Sequence, residues 1–273
     1  MLHIIESLQP SGQASQAGTL CTGLAERGFA VHVAALRDGP MNQTLAAAGV
    51  RVHLTPRRHR FDPFVVRRLR QIAREVRPAT VHAWDAASTA FAHAAGLGPI
   101  VASVAEGGNH AACWPSFVGR RVDQAVAKHL AASETIAREL RRGGVLAEEG
   151  AENGSVKDAD KIAIVPRGVE PLPAELEITR EQAFAELALP PTARAVAIVA
   201  RLKPSKNVKE LIWHADLVRV LDDDLRVVIF GDGPIRPELE RFARMASDLE
   251  HIRFAGERHD VRSLLPHFEM LWH

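Results

Sequence analysis

Two cations stand close together in the sequence at Arg201 and Lys206, and together they could bind a phosphate group. An apolar run over residues 195–200 predicts a buried strand before them, and residues 208–221 have the pattern of a helix after them. The start of a helix offers free backbone N–H groups and the positive end of the helix dipole. Arg201 can bind two phosphate oxygens at once, and Lys206 adds a mobile point charge. We therefore predict an anion site at a strand–loop–helix junction.

The elements that would position this loop alternate regularly along the chain. Strands are predicted at residues 2–8, 30–36, 50–55, 80–84, 100–105, 128–133, 161–166, 195–200, 225–230, 251–255 and 268–272. Helical patterns fill most of the intervals, which is typical of parallel sheets with crossover helices. Residues 171–178 contain two prolines and no core pattern, and this composition favours a linker.

We expect an α/β fold of two tandem Rossmann-like domains, the second of them incomplete. The first domain would cover residues 1–170, followed by a linker and short helix over residues 171–194. The partial second domain would cover residues 195–273, where four strands are predicted. A complete domain of this class has about six strands.

The composition limits the classes of function. The 273 residues are 47% hydrophobic with a net charge of +1, which predicts a globular protein and argues against strong nucleic-acid binding. Two distant cysteines and the lack of a secretory leader favour a reducing, cytoplasmic location. No apolar run approaches the roughly 20 residues that span a bilayer, which leaves peripheral membrane contact open. The basic stretch 57–60 is compatible with a solvated loop, and also with a surface that meets an anionic acceptor or a membrane.

Further loops follow predicted strands, and ligands bind at the carboxyl ends of strands in open α/β sheets. These loops contain Gly12 and residues 84–85, 106–110, 167–168, 231–233 and 256–258. Each is also compatible with an ordinary tight turn, because glycine can end a strand for backbone reasons alone. The dinucleotide fingerprint G-x-G-x-x-G is missing, which disfavours an NAD-dependent dehydrogenase. The histidines have no metal-ligand spacing, so we predict no metal site.

Three runs of the second half follow one another in a recognisable order. They are AIVARLKPSKNVKELIWHADLV, LRVVIFGDGPIRPELERFAR and IRFAGERHDVRSLLPHFEMLW. Through them the region 195–272 resembles the C-terminal domain of GT-B glycosyltransferases of family 4. In that domain R-L-x-x-x-K and G-D-G-P each stand between a strand and a helix, and D-V-x-x-L-L is a helix that follows the third strand and its glycine. The N-terminal half resembles the family more loosely, through RGFAVHV at 27–33 and TVHAW at 80–84.

The resemblance implies transfer of a sugar from a nucleoside-diphosphate sugar, with retention of configuration at the anomeric carbon. In the family, the residues that match Arg201 and Lys206 bind the donor diphosphate and stabilise the leaving group, so no metal or other cofactor would be needed. His110 would be a further catalytic contact. The implied donor-binding residues are Gly12, Arg201, Lys206, Gly231, Gly233, Gly256 and Arg258, and the implied acceptor-side residues are His82, Glu106 and Gly107. The acceptor would be a sugar or a lipid-linked molecule.

Departures from the family pattern leave other functions open. Ser11-Gly12 replaces the Gly-Gly often found in the first loop, and Arg167 stands where the family often has asparagine. The acidic E-x₇-E motif, which holds the donor sugar and ribose in the family, is missing from the sequence. We therefore expect a C-terminally truncated chain with weak or no catalysis. The alternatives are a non-catalytic protein that binds a nucleotide sugar or another phospholigand, and an epimerase on the same fold.

Overall fold

The structure is a computed structural model that describes residues 1–104, 121–122, 124–142, 160–169, 171–246 and 250–272. Its contacts divide the chain into two compact units, Met1–Val169 and Glu170–His273. Both units are α/β, and every strand pair in the described residues is parallel. The predicted fold class, with two successive Rossmann-like sheets, is confirmed.

Seven strands form the sheet of the first unit. They are β1 (Leu2–Ile5), β2 (His32–Ala35), β3 (Arg51–Leu54), β4 (Val81–Ala83), β5 (Ile100–Val104), β6 (Val126–Ala131) and β7 (Ile162–Ile164). Their order is β3-β2-β1-β4-β5-β6-β7, so the chain builds outward from β1 to one edge and then crosses back to the other side. As a result β4 lies beside β1, although two other strands separate them in the sequence.

In the described part of the first unit, the helices with complete bounds lie between these strands. They are α1 (Gly12–Glu26), α2 (Met41–Ala47), α3 (Pro63–Val76), α4 (Ala86–Ala94) and α5 (Glu134–Arg142). Four of them begin where a side chain satisfies a free N–H group of the first turn. At α5 this side chain is Ser133, whose Oγ accepts from the N–H of Ile136 at 3.3 Å. Ser11 Oγ accepts from the N–H of Ala14 at 3.1 Å, and Asp85 Oδ1 accepts from that of Ser88 at 2.7 Å. Asp62 caps α3 in the same way.

Alternate side chains of β1 enter two different hydrophobic layers. Leu2 and Ile4 pack with residues of α3 and α4 on one face of the sheet, whereas Ile5 packs with α1 and α2 on the other. All three side chains are at most 2% exposed. This is the pattern of a central parallel strand that is covered on both faces.

Four strands form the sheet of the second unit, in agreement with the number predicted. They are β8 (Arg194–Val199), β9 (Leu225–Phe230), β10 (Ile252–Gly256) and β11 (Met270–Trp272), in the order β10-β9-β8-β11. Its helices are α6 (Arg180–Glu186), α7 (Val208–Arg219), α8 (Arg236–Ala246) and α9 (Val261–Leu264). Residues 171–194 belong to this unit by their contacts, because Phe184 and Leu187 are buried in its core.

Several predicted elements are shorter in the structure, each for a local reason. The predicted strand 2–8 ends at Ile5, because the N–H of Glu6 donates to Asp85 Oδ2 at 2.7 Å instead of to a neighbouring strand. The predicted helix 261–267 is α9 followed by a 3₁₀ turn over Leu265–His267. Pro266 lies at that change, and proline has no N–H with which to continue an α-helix.

Candidate functional site

Three loops at the carboxyl edge of the second sheet lie against one another. They cover residues 200–207, 231–235 and 256–260, and we call them the three-loop cluster. Each follows one of the neighbouring strands β8, β9 and β10, so parallel pairing brings them to the same edge. The predicted donor residues in the cluster are Arg201, Lys206, Gly231, Gly233, Gly256 and Arg258. The structure therefore brings together all of the predicted donor residues except Gly12, which lies in the first unit.

Two glycines allow the first two loops to pack backbone against backbone. A Cβ atom on Gly231 would lie 2.0 Å from the carbonyl oxygen of Ala200, and one on Gly233 would lie 2.2 Å from that of Leu202. Both distances are far below van der Waals contact. Gly231 also has a φ of +124°, which residues with a side chain rarely adopt. The G-D-G-P run therefore needs glycine at both positions to approach the loop that carries Arg201.

Backbone hydrogen bonds link the three loops. The N–H of Leu202 donates to the carbonyl of Asp232 at 3.0 Å, and the N–H of Ile235 donates to the carbonyl of Leu202 at 3.3 Å. The N–H of Gly231 donates to the carbonyl of Gly256 at 2.7 Å. The spacing of the three loops is thus set by hydrogen bonds of the main chain.

The first loop presents cations beside a helix start, as predicted. Arg201 is exposed two residues after β8, and Lys206 is half-buried at the end of a 3₁₀ turn over Pro204–Lys206. Asn207 follows with a φ of +49° and begins α7 without a side-chain cap. Lys206 and Asn207 line a cavity of about 200 Å³, together with Trp272 of β11. An uncapped helix start next to a lysine and an arginine is suited to binding an anion.

Arg258 is engaged in ion pairs that hold the third loop. Its guanidinium binds the carboxylates of Asp260 and Glu186. Nε donates to Asp260 Oδ1 at a nitrogen–oxygen distance of 2.8 Å. The hydrogen bond to Asp260, followed by that to Glu186, raises the pKa of Arg258 above its ordinary value. Arg258 therefore orders the loop through two carboxylates, which neutralise its charge.

A second paired arginine in the cluster, Arg236, was not among the predicted site residues. It donates to Glu240 at 2.7 Å and to Asp232 at 3.1 Å. Its guanidinium lies 3.5 Å from the position that a Cβ on Gly256 would take, so the side chain reaches the third loop. The only signal in the sequence is the spacing of four residues to each carboxylate, which is common on exposed helices.

A cavity of about 470 Å³ lies in the first unit, between α1 and the strands β4, β5 and β6. Its walls are mostly apolar, and its polar lining includes Gln13, Gln16, His82, Ser103 and Arg167. Gly12 is the first residue of α1, and the guanidinium of Arg167 lies 3.9 Å from the position of a Cβ on Gly12. Gly12, His82 and Arg167 therefore belong to one region of this unit.

Two buried histidines lie beside this cavity in neighbouring strands. His82 Nε2 is 2.8 Å from Ser103 Oγ, and burial lowers the pKa of His82 to about 4. Trp84 Nε1 donates to His3 Nδ1 at 3.3 Å, and burial together with His82 lowers the pKa of His3 to about 3. At pH 7 both rings are neutral, so each can exchange hydrogen bonds but carries no charge. Sequence reasoning missed His3, because its approach to His82 depends on the pairing of β1 with β4.

Three predicted residues lie outside the described part of the chain. They are the catalytic candidate His110 and the acceptor-side candidates Glu106 and Gly107. Among the residues that the structure describes, no three side chains of His, Cys, Asp or Glu are grouped so that they could hold a metal ion.

The family model described as Glycosyltransferase Family 4 matches residues 10–171, which is more than half of the chain. The chain belongs to glycosyltransferase family 4. A second model, Glycosyl transferases group 1, matches residues 179–271 and so includes the whole three-loop cluster of this glycosyltransferase. The family inferred from the three sequence runs is confirmed. No curated protein matches the chain in sequence.

Solved structures similar to this glycosyltransferase share its fold. Anabaena Alr3699/HepE in complex with UDP and glucose matches with a TM-score of 0.74 and 15% identity, over 100% of this chain and 73% of that one. A glycosyltransferase from Rickettsia africae ESF-5 matches with a TM-score of 0.67 and 16% identity, over 99% and 71%. WaaG, a glycosyltransferase involved in lipopolysaccharide biosynthesis, matches with a TM-score of 0.70 and 13% identity, over 100% and 74%. At these low sequence identities, the similarity shows that the chain shares the GT-B fold.

Proposed function

We propose that this chain is a retaining glycosyltransferase that moves a sugar from a nucleoside-diphosphate sugar to an acceptor. The observation that carries the proposal is the three-loop cluster, in which Arg201 and Lys206 flank an uncapped helix start at the carboxyl edge of a parallel sheet. The family match supports sugar transfer. The complexes of HepE with UDP and with UDP-glucose support a nucleotide-sugar donor.

The roles of the two cations follow from the charge that develops in the reaction. When the bond between the sugar and the diphosphate breaks, the leaving nucleoside diphosphate gains negative charge. Fixed cations stabilise that charge more in the transition state than in the bound donor, which lowers the barrier. Arg201 would bind the diphosphate through its planar guanidinium, and Lys206 would complete the charge balance. In this proposal the two side chains and the α7 N-terminus meet the diphosphate charge, and no metal or other cofactor takes part.

The acceptor side of the proposal rests on the cavity of the first unit. Neutral His82 and the cation Arg167 line it, so it could bind hydroxyl groups and one anionic group of a sugar or of a lipid-linked acceptor. His110, Glu106 and Gly107 stay predictions for the same side. The cytoplasmic location also belongs to the proposal, and it is supported by Cys21, whose buried thiol is free.

A second candidate function is binding of a nucleotide sugar without transfer. It needs only the anion-binding loop with Arg201 and Lys206 beside the start of α7, and no group that acts on an acceptor. The three-loop cluster is expected under both functions. Only a measurement of product formation separates them.

The donor site is tested by calorimetric titration with UDP and GDP. We expect Arg201→Ala and Lys206→Ala each to weaken binding of the preferred nucleotide by about 1–3 kcal/mol, the range for a hydrogen bond to a charged group. Lys203→Ala is the matched control, because Lys203 is an exposed cation of the same loop that was not assigned to the site. Unchanged affinity in both site variants would contradict the proposal. Titration in the presence of EDTA tests the metal-free form of the site, and we expect the same affinity there.

The reaction is tested with a panel of UDP- and GDP-sugars and simple glycoside acceptors. We expect a product whose anomeric configuration, measured by NMR, is the same as that of the donor. An inverted product would contradict retention. If a nucleotide sugar binds through Arg201 and Lys206 but neither transfer nor hydrolysis is detected, the second candidate function is supported instead.

A further inference from the structure

A strongly basic surface lies in the first unit, apart from the cavity described above. Between Arg51 and Arg77 the sequence has nine arginines and only two acidic residues, a local charge of +7 in a chain whose net charge is +1. The segment comprises the edge strand β3, the loop after it and α3. No helix among the described residues is long and apolar enough to cross a bilayer.

α3 gives this segment a buried and an exposed side. The buried side consists of Val65, Leu69 and Ile72, each at most 2% exposed. Arg67 and Arg68 are exposed, and with Arg58 and Phe64 they line a cavity of about 370 Å³ between the helix and the end of β3. Within the described part of the chain, neither Arg67 nor Arg68 is ion-paired with a carboxylate. We call Arg58, Arg60, Phe61, Phe64, Arg67 and Arg68 the arginine face.

The two carboxylates of the segment are occupied elsewhere. Asp62 is 1% exposed and accepts hydrogen bonds of 3.0 Å from the backbone N–H groups of Arg58 and Phe64. Its charge therefore serves the cap of α3 and is not presented at the surface. Glu75 lies 13 residues after Asp62, near the end of α3, where its carboxylate accepts from Gln71 at 2.9 Å. The arginine face thus presents positive charge without a carboxylate among its members.

Two phenylalanines of the arginine face have largely exposed rings. Phe61 is 62% exposed and Phe64 is 67% exposed. The guanidinium of Arg60 lies 5.8 Å from the ring centre of Phe61, and that of Arg58 lies 5.6 Å from the ring centre of Phe64. Each ring is therefore adjacent to a cation. Exposed aromatic rings flanked by arginines are typical of surfaces that enter the interface of a bilayer.

An anionic bilayer can bind both the arginines and the exposed aromatic rings of this surface, whereas a soluble polyanion can bind only the arginines. Lipid phosphates attract the arginines, and the apolar boundary beneath them accepts the rings of Phe61 and Phe64. A nucleic acid would also attract the arginines, but its binders usually carry a large net positive charge. The net charge of this chain is +1. The combination of local charge and exposed apolar rings favours the membrane.

We propose that the arginine face docks this protein on an anionic lipid bilayer, with α3 along the surface and the rings of Phe61 and Phe64 in the interface. The arginines contact lipid phosphates, and the cavity between β3 and α3 receives a headgroup. This docking does not depend on sugar transfer. It is measured as binding without any donor or acceptor, so its failure and the failure of the proposed reaction are distinguishable.

The experiment is co-sedimentation of the whole chain with vesicles of phosphatidylcholine, alone or with about one third phosphatidylglycerol. We expect binding to the anionic vesicles only, and weaker binding when salt is raised from about 50 to about 500 mM, because salt screens exposed charges. Arg67→Gln with Arg68→Gln should lower the partition coefficient roughly fivefold for each arginine removed. Phe61→Ser with Phe64→Ser should lower it about a hundredfold.

Matched double variants outside the arginine face control for charge and for hydrophobicity. Arg241→Gln with Arg244→Gln removes two exposed arginines of α8, and Val220→Ser with Leu221→Ser removes two apolar side chains that are 76% and 88% exposed. Both should bind like the unmodified chain. Equal binding to neutral and anionic vesicles, or equal loss in the control variants, would overturn the proposal. The proposal would also be overturned if heparin bound to the arginine face and vesicles did not. The surface would then bind a soluble polyanion.

Discussion

Gly231 and Gly233 are the residues on which the geometry of the three-loop cluster depends most directly. Their missing side chains let the second loop contact the carbonyl groups of Ala200 and Leu202. Glycine at a turn often reflects only the need for a positive φ, and Gly28 is such a case, with a φ of +83° and open space around its Cβ position. At Gly233 the reason is different, because the obstacle is another part of the backbone.

The first prediction concerns these glycines. Gly233→Ala forces a methyl group against the Leu202 carbonyl, and we expect it to lower the free energy of unfolding of the second unit by about 2–4 kcal/mol. Gly28→Ala is the control, since it adds a methyl group at a positive φ without a collision and should cost about 1 kcal/mol. Urea titrations followed by circular dichroism measure both. Equal losses in the two variants would mean that backbone strain, and not the close approach, explains Gly233.

At the scale of elements, one half-buried carboxylate joins three of them. Asp85 caps α4 through Ser88 and also accepts the N–H of Glu6, where β1 ends and the chain turns toward α1. Burial raises the pKa of Asp85, and the hydrogen bonds from Ser88 and Glu6 oppose that rise. Asp85 follows the predicted strand 80–84 directly. It thereby fixes the end of β4, the start of α4 and the end of β1.

The second prediction is that Asp85→Ala costs more than the loss of an ordinary cap. Removing the carboxylate leaves the helix start uncapped and the N–H of Glu6 without its partner, so we expect a loss of about 2–4 kcal/mol. Ser11→Ala removes the cap of α1 alone and should cost about 1 kcal/mol. Thermal and urea unfolding of the two variants give the comparison. The long-range role of Asp85 would be refuted if both variants lost the same amount.

Helices and strands were predictable from the sequence where the residues that determine them are close together in the chain. The strand, cationic loop and helix around Arg201 follow from an apolar run and a helical period within about 25 residues, and the structure has them. The 3₁₀ turn at Pro204–Lys206 was missed, because a single turn leaves no periodicity to detect. The neighbours of Gly233 were also beyond reach, since Leu202 contacts it only through the pairing of β8 with β9.

On the scale of the molecule, the contact between two histidines of the first unit could not be predicted from local sequence patterns either. His3 and His82 are 79 positions apart in the sequence and become register partners only because β4 crosses back beside β1. A strand order that is not the chain order cannot be derived from local patterns. The fold class was predictable because the alternation of strands and helices along the chain is enough to identify an α/β fold. The histidine pair was not, because it depends on topology.

The third prediction is that acid destabilises the first unit through this pair. An unfolded histidine has a pKa of about 6.5, whereas burial lowers the pKa of His3 to about 3 and that of His82 to about 4. The contribution of the two neutral histidines to the free energy of unfolding is therefore fully present above pH 6.5. As the pH falls toward 4, the unfolded chain binds protons that the folded unit does not bind. The unfolding free energy should fall by up to about 1.4 kcal/mol per pH unit for each histidine.

Urea titrations at a series of pH values test this dependence. His82→Asn removes one of the two groups, so its unfolding free energy should fall less steeply with acid than that of the unmodified chain. His59→Asn is the control, because His59 is exposed on the loop before α3. An unchanged slope in His82→Asn would show that other groups dominate the acid response of the first unit.

The main-chain construction of the three-loop cluster has a consequence for how this protein can evolve. The loops are joined by bonds from Leu202, Gly231 and Ile235 that involve no side chain. Substitutions at exposed positions such as Lys203 or Glu257 can therefore accumulate while the spacing of the loops is preserved. Preference for one nucleotide or sugar over another can drift through those positions one residue at a time, and the inherited frame continues to hold Arg201 next to the start of α7.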